Sequence, residues 1–191
     1  MSSVPGEVTV KELLTRQLGI AWALTQYHLE SLTTEECLWR PAEKGLHVWR
    51  GEDGLFRADW PEDEGYGLGP SSIGWLTWHL GFWWQMVIDH TFGAGTLQRE
   101  AVRWPGSAEA VRAWIEGLHA TWTRELSALD DAALRSTERA RWPFPPNTQP
   151  LMDVVAWANV ELTKSASEIG YARFLYAVSV GTGVDATQGS D

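Results

Sequence analysis

Apolar residues recur at helical spacing in four long stretches of this chain. From Val10 to Leu32, Leu13, Leu14, Leu18, Ala21, Leu24 and Tyr27 fall on one helical face. Thr33 and Glu36 stand at capping-box spacing and predict a short helical turn through Leu38, which Arg40-Pro41 ends. A second long helix opens at Ser71 or Ser72, both good N-caps, and runs to Phe92, where Gly93-Ala94-Gly95 stops it. Ser107 caps a third, through about Leu129, with Val111, Trp114, Ile115, Leu118, Trp122 and Leu126 as its stripe. Asp130 to Leu134 reads as one more helical turn. Pro150 suits the first turn of a fourth long helix, Leu151 to Val180.

The connections are uneven. Residues 41–70 hold Gly45, Gly51, Gly54, Gly65, Gly67 and Gly69 with Pro41, Pro61 and Pro70, so no long helix survives there. His47-Val48-Trp49-Arg50 and Leu55 to Trp60 are short extended pieces that suit a small hairpin. A loop of this length is usually functional or covers a site. Residues 139–150 are broken by Pro143, Pro145, Pro146 and Pro150. Four long helices joined by such links predict an all-α four-helix bundle, a single domain over 1–180 followed by a disordered tail at 181–191. The competing architecture is a small α+β domain in which residues 46–60 belong to a real sheet.

Composition narrows the function classes. The chain has 191 residues, enough for one buried core. Its net charge of −10 and its fifteen scattered Lys and Arg exclude a phosphate-contacting stripe, so no nucleic-acid partner is expected. Cys37 is the one cysteine, which excludes an intrachain disulfide and a cysteine zinc cluster and reads as a buried apolar thiol. No apolar run approaches the ~18 residues of a membrane span and no basic leader precedes one, so a cytoplasmic protein off the membrane is expected. Thirteen tryptophans are far above average; their indole N–H groups want partners, which places some of them at a cleft or an interface.

Candidate chemistry gathers on the second and fourth long helices. On the fourth, Glu161, Ser165 and Glu168 follow steps of four and three and share a face. On the second, His79 stands beside Trp75, Thr77 and Trp78. His79 and Glu161 are metal-ligand types, serine is a poor ligand at position 165, and Glu168 is the candidate substitute. Two protein ligands fall short of the three of a catalytic zinc site. The plainer reading makes His79 a hydrogen-bonded core histidine and Glu161 a partner of Lys164. His90 lies ~16 Å along the helix from His79 and cannot share its metal. His28, His47 and His119 are expected on surfaces, His47 within the loop that could fold over the site. No Gly-rich phosphate loop, nucleophile elbow or H-E-x-x-H motif is present.

The run Ser72-Ile73-Gly74-Trp75-Leu76-Thr77-Trp78-His79-Leu80 resembles the second-helix signature of the DinB superfamily. The opening, from Leu13 through Leu32-Thr33-Thr34-Glu35-Glu36 to Leu38-Trp39-Arg40-Pro41, is similar to it too. So is the stretch from Trp157 through Glu161 and Glu168-Ile169-Gly170 to Arg173-Phe174-Leu175. The resemblance spans roughly 8–180 and implies an up-down-down-up four-helix bundle, often a homodimer. It also implies a divalent metal, zinc or nickel, held by one His of the second helix and a His-x-x-x-His pair of the fourth. In the related mycothiol-dependent maleylpyruvate isomerases a Glu opens that pair. His79 and Glu161 match; Ser165 is the lost third ligand.

The expected function is accordingly a DinB-like protein with a partly degenerate metal site. If catalytic, it would be a metal-assisted transferase or isomerase acting with a low-molecular-weight thiol, akin to the family's mycothiol and bacillithiol enzymes. The competing class is a metal-free bundle that binds a small molecule or a protein. Trp75, Trp78, Trp83 and Trp84 would line its apolar pocket, with Arg173 as anion partner.

Overall fold

The computed structural model describes residues 8–63 and 65–181; the expected tail lies outside them except for Gly181. In chain order the elements are α1 (Val10–Leu29), α2 (Thr34–Leu38), β1 (Val48–Arg50), β2 (Phe56–Ala58), α3 (Ile73–Phe92), α4 (Ala108–Ser127), α5 (Asp131–Arg135) and α6 (Leu151–Gly181), with single 3₁₀ turns at Tyr66–Leu68 and Arg99–Ala101. Side-chain caps start most of these helices. Thr9 with Glu12 and Thr33 with Glu36 form reciprocal capping boxes on α1 and α2. The hydroxyls of Ser72 and Ser107 accept from the backbone N–H of Trp75 and Ala110. α1 stops at Leu29, earlier than its apolar pattern predicts, because Glu30 is extended and Ser31 takes a left-handed φ of 58°.

Contacts between helix ends set the topology. Lys11, at the start of α1, donates to the carbonyls of Ser127, the last residue of α4, and Leu129 just beyond it, and Arg112, near the start of α4, reaches the Leu29 carbonyl at the end of α1. These two helices are antiparallel. Asn159 of α6 donates to the Leu14 carbonyl and the Gln17 side chain, while Arg173 donates to the carbonyls of His28 and Glu30, so α6 runs parallel to α1. Rings pair in ascending order between Trp84 and His119 and between Phe92 and Trp122, so α3 runs parallel to α4. The result is the up-down-down-up four-helix bundle. No helix of the described residues is long and apolar enough to cross a membrane.

The extended pieces close into one antiparallel hairpin, with Val48 opposite Ala58, Trp49 opposite Arg57 and Arg50 opposite Phe56. It is a two-stranded ribbon on the side of the bundle, so the α+β alternative does not hold. Its anchor is Gly74: a Cβ there would stand 2.7 Å from a Val48 methyl and 2.8 Å from the Cys37 carbonyl oxygen. α3 and α4 approach as closely at Gly81, where a Cβ would fall within the ring of Trp114.

Three sequence expectations need correction. Leu13 and Tyr27 are exposed, and Thr25 and Leu29 are buried in their place, because the buried stripe of α1 follows Leu18 and Ala21 round a different edge. His47 is buried, since both its backbone N–H and its carbonyl pair with Asp59 and draw the base of the hairpin inward. Trp83, Trp84 and Trp122 lie in the dry core, their indole N–H groups without an acceptor among the described residues. Each unpaired donor costs on the order of 1–3 kcal/mol. The apolar area that each ring buries, 25 cal/mol for every Å² or thereabouts, more than offsets it.

Arg173 joins three elements. Its Nε donates to the buried Glu36 carboxylate at 3.0 Å, and its other nitrogens donate to the carbonyls of His28 and Glu30 and to the Ser31 hydroxyl. Arg173→Met leaves that carboxylate unpaired and should lower stability by roughly 1.5–3 kcal/mol, read as a fall in the urea midpoint at constant slope.

Candidate functional site

His79 occupies the one partly open position of a buried stretch of α3, Ser72 to Trp84. Its ring is set by its neighbour one turn back. The Trp75 indole N–H donates to the Asp59 carbonyl at 2.8 Å, which fixes the indole plane, and His79 stacks on it at 4.9 Å with planes 10° apart. Phe82 lies 6.3 Å away on the following turn. Burial, with the Lys164 ammonium adding repulsion, lowers the His79 pKa from its ordinary 6.5 to about 4. The imidazole is therefore neutral at physiological pH, available as both donor and acceptor.

Across from His79, α6 turns Leu162, Ser165 and Ile169 into the core and leaves Glu161, Lys164 and Glu168 at the edge. Lys164 pairs with Glu161 at 3.3 Å. Burial raises the Glu168 pKa; the Glu161 charge adds to that and Lys164 opposes it. An open cleft of about 710 Å³ runs between the two helices. His79, Trp75, Lys164 and Glu168 line one side of it, and Leu46, Pro61, Tyr66 and Pro70 of the glycine- and proline-rich connection form the other. That connection does lie over the site.

The residues singled out from sequence fall into distinct places. His79, Trp75 and Glu168 share the cleft. Glu161 stands behind Lys164 and not on the cleft wall. Ser165 is buried, its hydroxyl without a partner among the described residues. Trp78 is buried and donates to the Val102 carbonyl at 3.2 Å. Trp83 packs in the core between Trp84 and Trp157. Arg173 belongs to the α1–α2–α6 junction, where it borders a separate groove with Tyr27 and Phe174. Among the described residues no three His, Cys, Asp or Glu side chains are gathered in a way that could hold a metal ion. Cys37 is buried and its thiol is pushed up to about 12, chiefly by burial, so it is inert as a nucleophile.

Sequence reasoning placed Lys164 only as a partner of Glu161, yet it faces His79 and Glu168 as well. The signal was in the spacing: Lys164 is three residues after Glu161 and four before Glu168, the steps that keep side chains on one helical face. A model of the DinB superfamily matches residues 17–168. No curated protein and no solved structure matches the chain.

The His79 shift gives a pH dependence with a definite sign. Between about pH 6.5 and 4 the unfolded chain binds a proton that folded His79 refuses, so stability falls as pH drops through that window. His28, His47 and His119, all lowered by burial, act in the same sense, and Glu168, raised, in the opposite one. Urea midpoints at pH 7 and pH 4.5 should therefore lie closer together in His79→Gln than in the unsubstituted protein; an unchanged gap would remove His79 from this account.

Proposed function

The chain belongs to the DinB superfamily, and from that membership and the cleft at His79 we propose that it binds a small anionic molecule between α3 and α6. In this reading the Lys164 ammonium supplies the positive charge that the family resemblance assigns to a divalent metal. The observation that carries it is the placement of Lys164: it lines the same cleft as His79 and Glu168 while pairing with Glu161.

The donor set does not fit a resident zinc or nickel ion. A catalytic site takes three protein ligands. Here His79 is the nitrogen donor and Glu168 shares its cleft, but the Ser165 hydroxyl is turned into the core and Glu161 is already engaged by a cation, so a third ligand is lacking among the described residues. A dication at His79 would stand against the Lys164 ammonium, whose repulsion already lowers the His79 pKa. The same ammonium suits a carboxylate or a thiolate. A low-molecular-weight thiol bound beside it would have its pKa lowered, which favours the reactive thiolate, the proton leaving to solvent through the open cleft. Trp75, Leu76 and Pro61 offer apolar surface to the body of such a ligand.

Metal content per chain, on protein purified without chelator, separates this reading from a metalloenzyme. It should stay far below one even after dialysis against zinc. Calorimetry with N-acetylcysteine should show binding that Lys164→Met weakens by about 10-fold, the loss of one charge-assisted contact. One zinc or nickel per chain, lost in His79→Ala, would overturn the proposal.

The reading extends to a homodimer. Leu13, Ile20 and Tyr27, seven residues apart on α1, and Tyr171 and Phe174 on the parallel α6 are all more than half exposed. Apolar side chains lined up along two adjacent helices mark an interaction surface, and a two-fold partner would bury it against itself. Light scattering should give twice the chain mass of 21.4 kDa, reduced to one chain by Ile20→Glu.

A further inference from the structure

The hairpin builds a second recess, on the other side of the Trp60–Pro61 step from His79. Pro61 lines the His79 cleft, while Trp60 lines the recess. The recess measures about 220 Å³, below the ~300 Å³ at which drug-sized pockets begin, and so suits one or two fused rings. Its walls are three tryptophans, Trp49, Trp60 and Trp78, and three arginines, Arg57, Arg99 and Arg103. Three of the fifteen cationic residues of a chain with net charge −10 meet here, with Glu100 in the wall and Asp53 behind Arg57 as their acidic neighbours.

The pieces are held in place from behind. Opposite each other in the hairpin register, Trp49 and Arg57 carry the guanidinium 5.7 Å above the indole, and Asp53 grips Arg57 through both terminal nitrogens at 2.9 and 2.6 Å. Arg99 lies 4.5 Å over the Trp60 ring and pairs with Glu100. Trp60 stands edge-on to Trp78 and Phe82, at 6.2 and 5.6 Å. It nevertheless keeps 47% of its surface in solvent, and Trp49 keeps 43%. Arg103 is the exception among the three cations: it donates to the Glu100 carbonyl, and no carboxylate among the described residues pairs with it. Two rigid, half-exposed indoles beside an arginine without a counter-ion form a site with two requirements, a flat ring and an anion.

We propose that this recess binds a small planar aromatic carboxylate. The ring packs on the open indole surface of Trp49 and Trp60, where stacking and edge-to-face contacts contribute beyond burial alone. The carboxylate goes to Arg103, whose planar fork matches it in bidentate geometry. Arg57 and Arg99, already neutralised by Asp53 and Glu100, frame the ring and add no net attraction for a polyanion. The ligand is therefore singly charged and flat.

Isothermal titration of the full chain with indole-3-acetate tests this, with 3-methylindole and acetate as the two half-ligands and inorganic phosphate as a polyanionic competitor. Indole-3-acetate should bind at one per chain. Either half alone should bind at least about 10-fold more weakly, and Arg103→Gln should lower the indole-3-acetate affinity by a similar factor. Trp60→Leu should weaken it as well, through the ring and not the charge, which provides a second reading should Arg103→Gln fold poorly. Absence of binding, equal binding of 3-methylindole, or full competition by phosphate would each overturn the proposal. So would binding that is lost in Lys164→Met and kept in Arg103→Gln, which would assign the ligand to the cleft at His79.

Discussion

The burial of α3 on nearly every side is the constraint on which the rest of this structure depends. From Ser72 to Trp84 every position except His79 is removed from solvent, packed against α6, α4, α2 and the hairpin. A helix that is apolar all round has no solvent face to spend on polar groups. Several of the polar groups it does carry are answered: the Thr77 hydroxyl bonds back to the Ile73 and Gly74 carbonyls and accepts from Trp104, while the Trp75 and Trp78 indoles donate to loop carbonyls. His79 is the residue left over, and a cleft bordered by α3 and α6 opens there.

That arrangement makes the site an electrostatic one. Burial keeps His79 neutral, and Glu168 is pushed toward its neutral form by the same cause. The Lys164 ammonium stands at the rim of the same cleft, with Glu161 as its counter-ion. A cleft whose fixed positive charge comes from a side chain needs no ion to hold an anion, which is the basis of the function proposed above. Half of the lysine side chain is in solvent, so its field is partly screened and acts only on what enters the cleft.

The connection between α1 and α3 serves both faces of the site. Its Asp59 holds the base of the hairpin through His47 and fixes Trp75 through its carbonyl. The next two residues divide the surface, Trp60 toward the arginine recess and Pro61 toward His79. Movement of this strap would be felt on both sides, because Trp60 and Trp75 both pack on Trp78.

Much of this was legible in the chain alone. The caps Thr33, Ser72 and Ser107, the glycine stop after Phe92 and the apolar stripes fixed the helices within a few residues, because capping and helical periodicity are local properties. The same periodicity put Glu161, Lys164 and Glu168 on one face of α6. What it could not supply is what that face meets. The exposure of Leu13 and Tyr27, the dry burial of Trp83 and Trp84, the service of Arg173 at a helix junction and the encounter of Lys164 with His79 all depend on which helix lies alongside which. The local sequence determined the elements and the chemistry each could offer. Only the tertiary structure decided which of those groups meet, since partners more than eighty residues apart are chosen by the packing of whole helices and leave no mark in the spacing of either one.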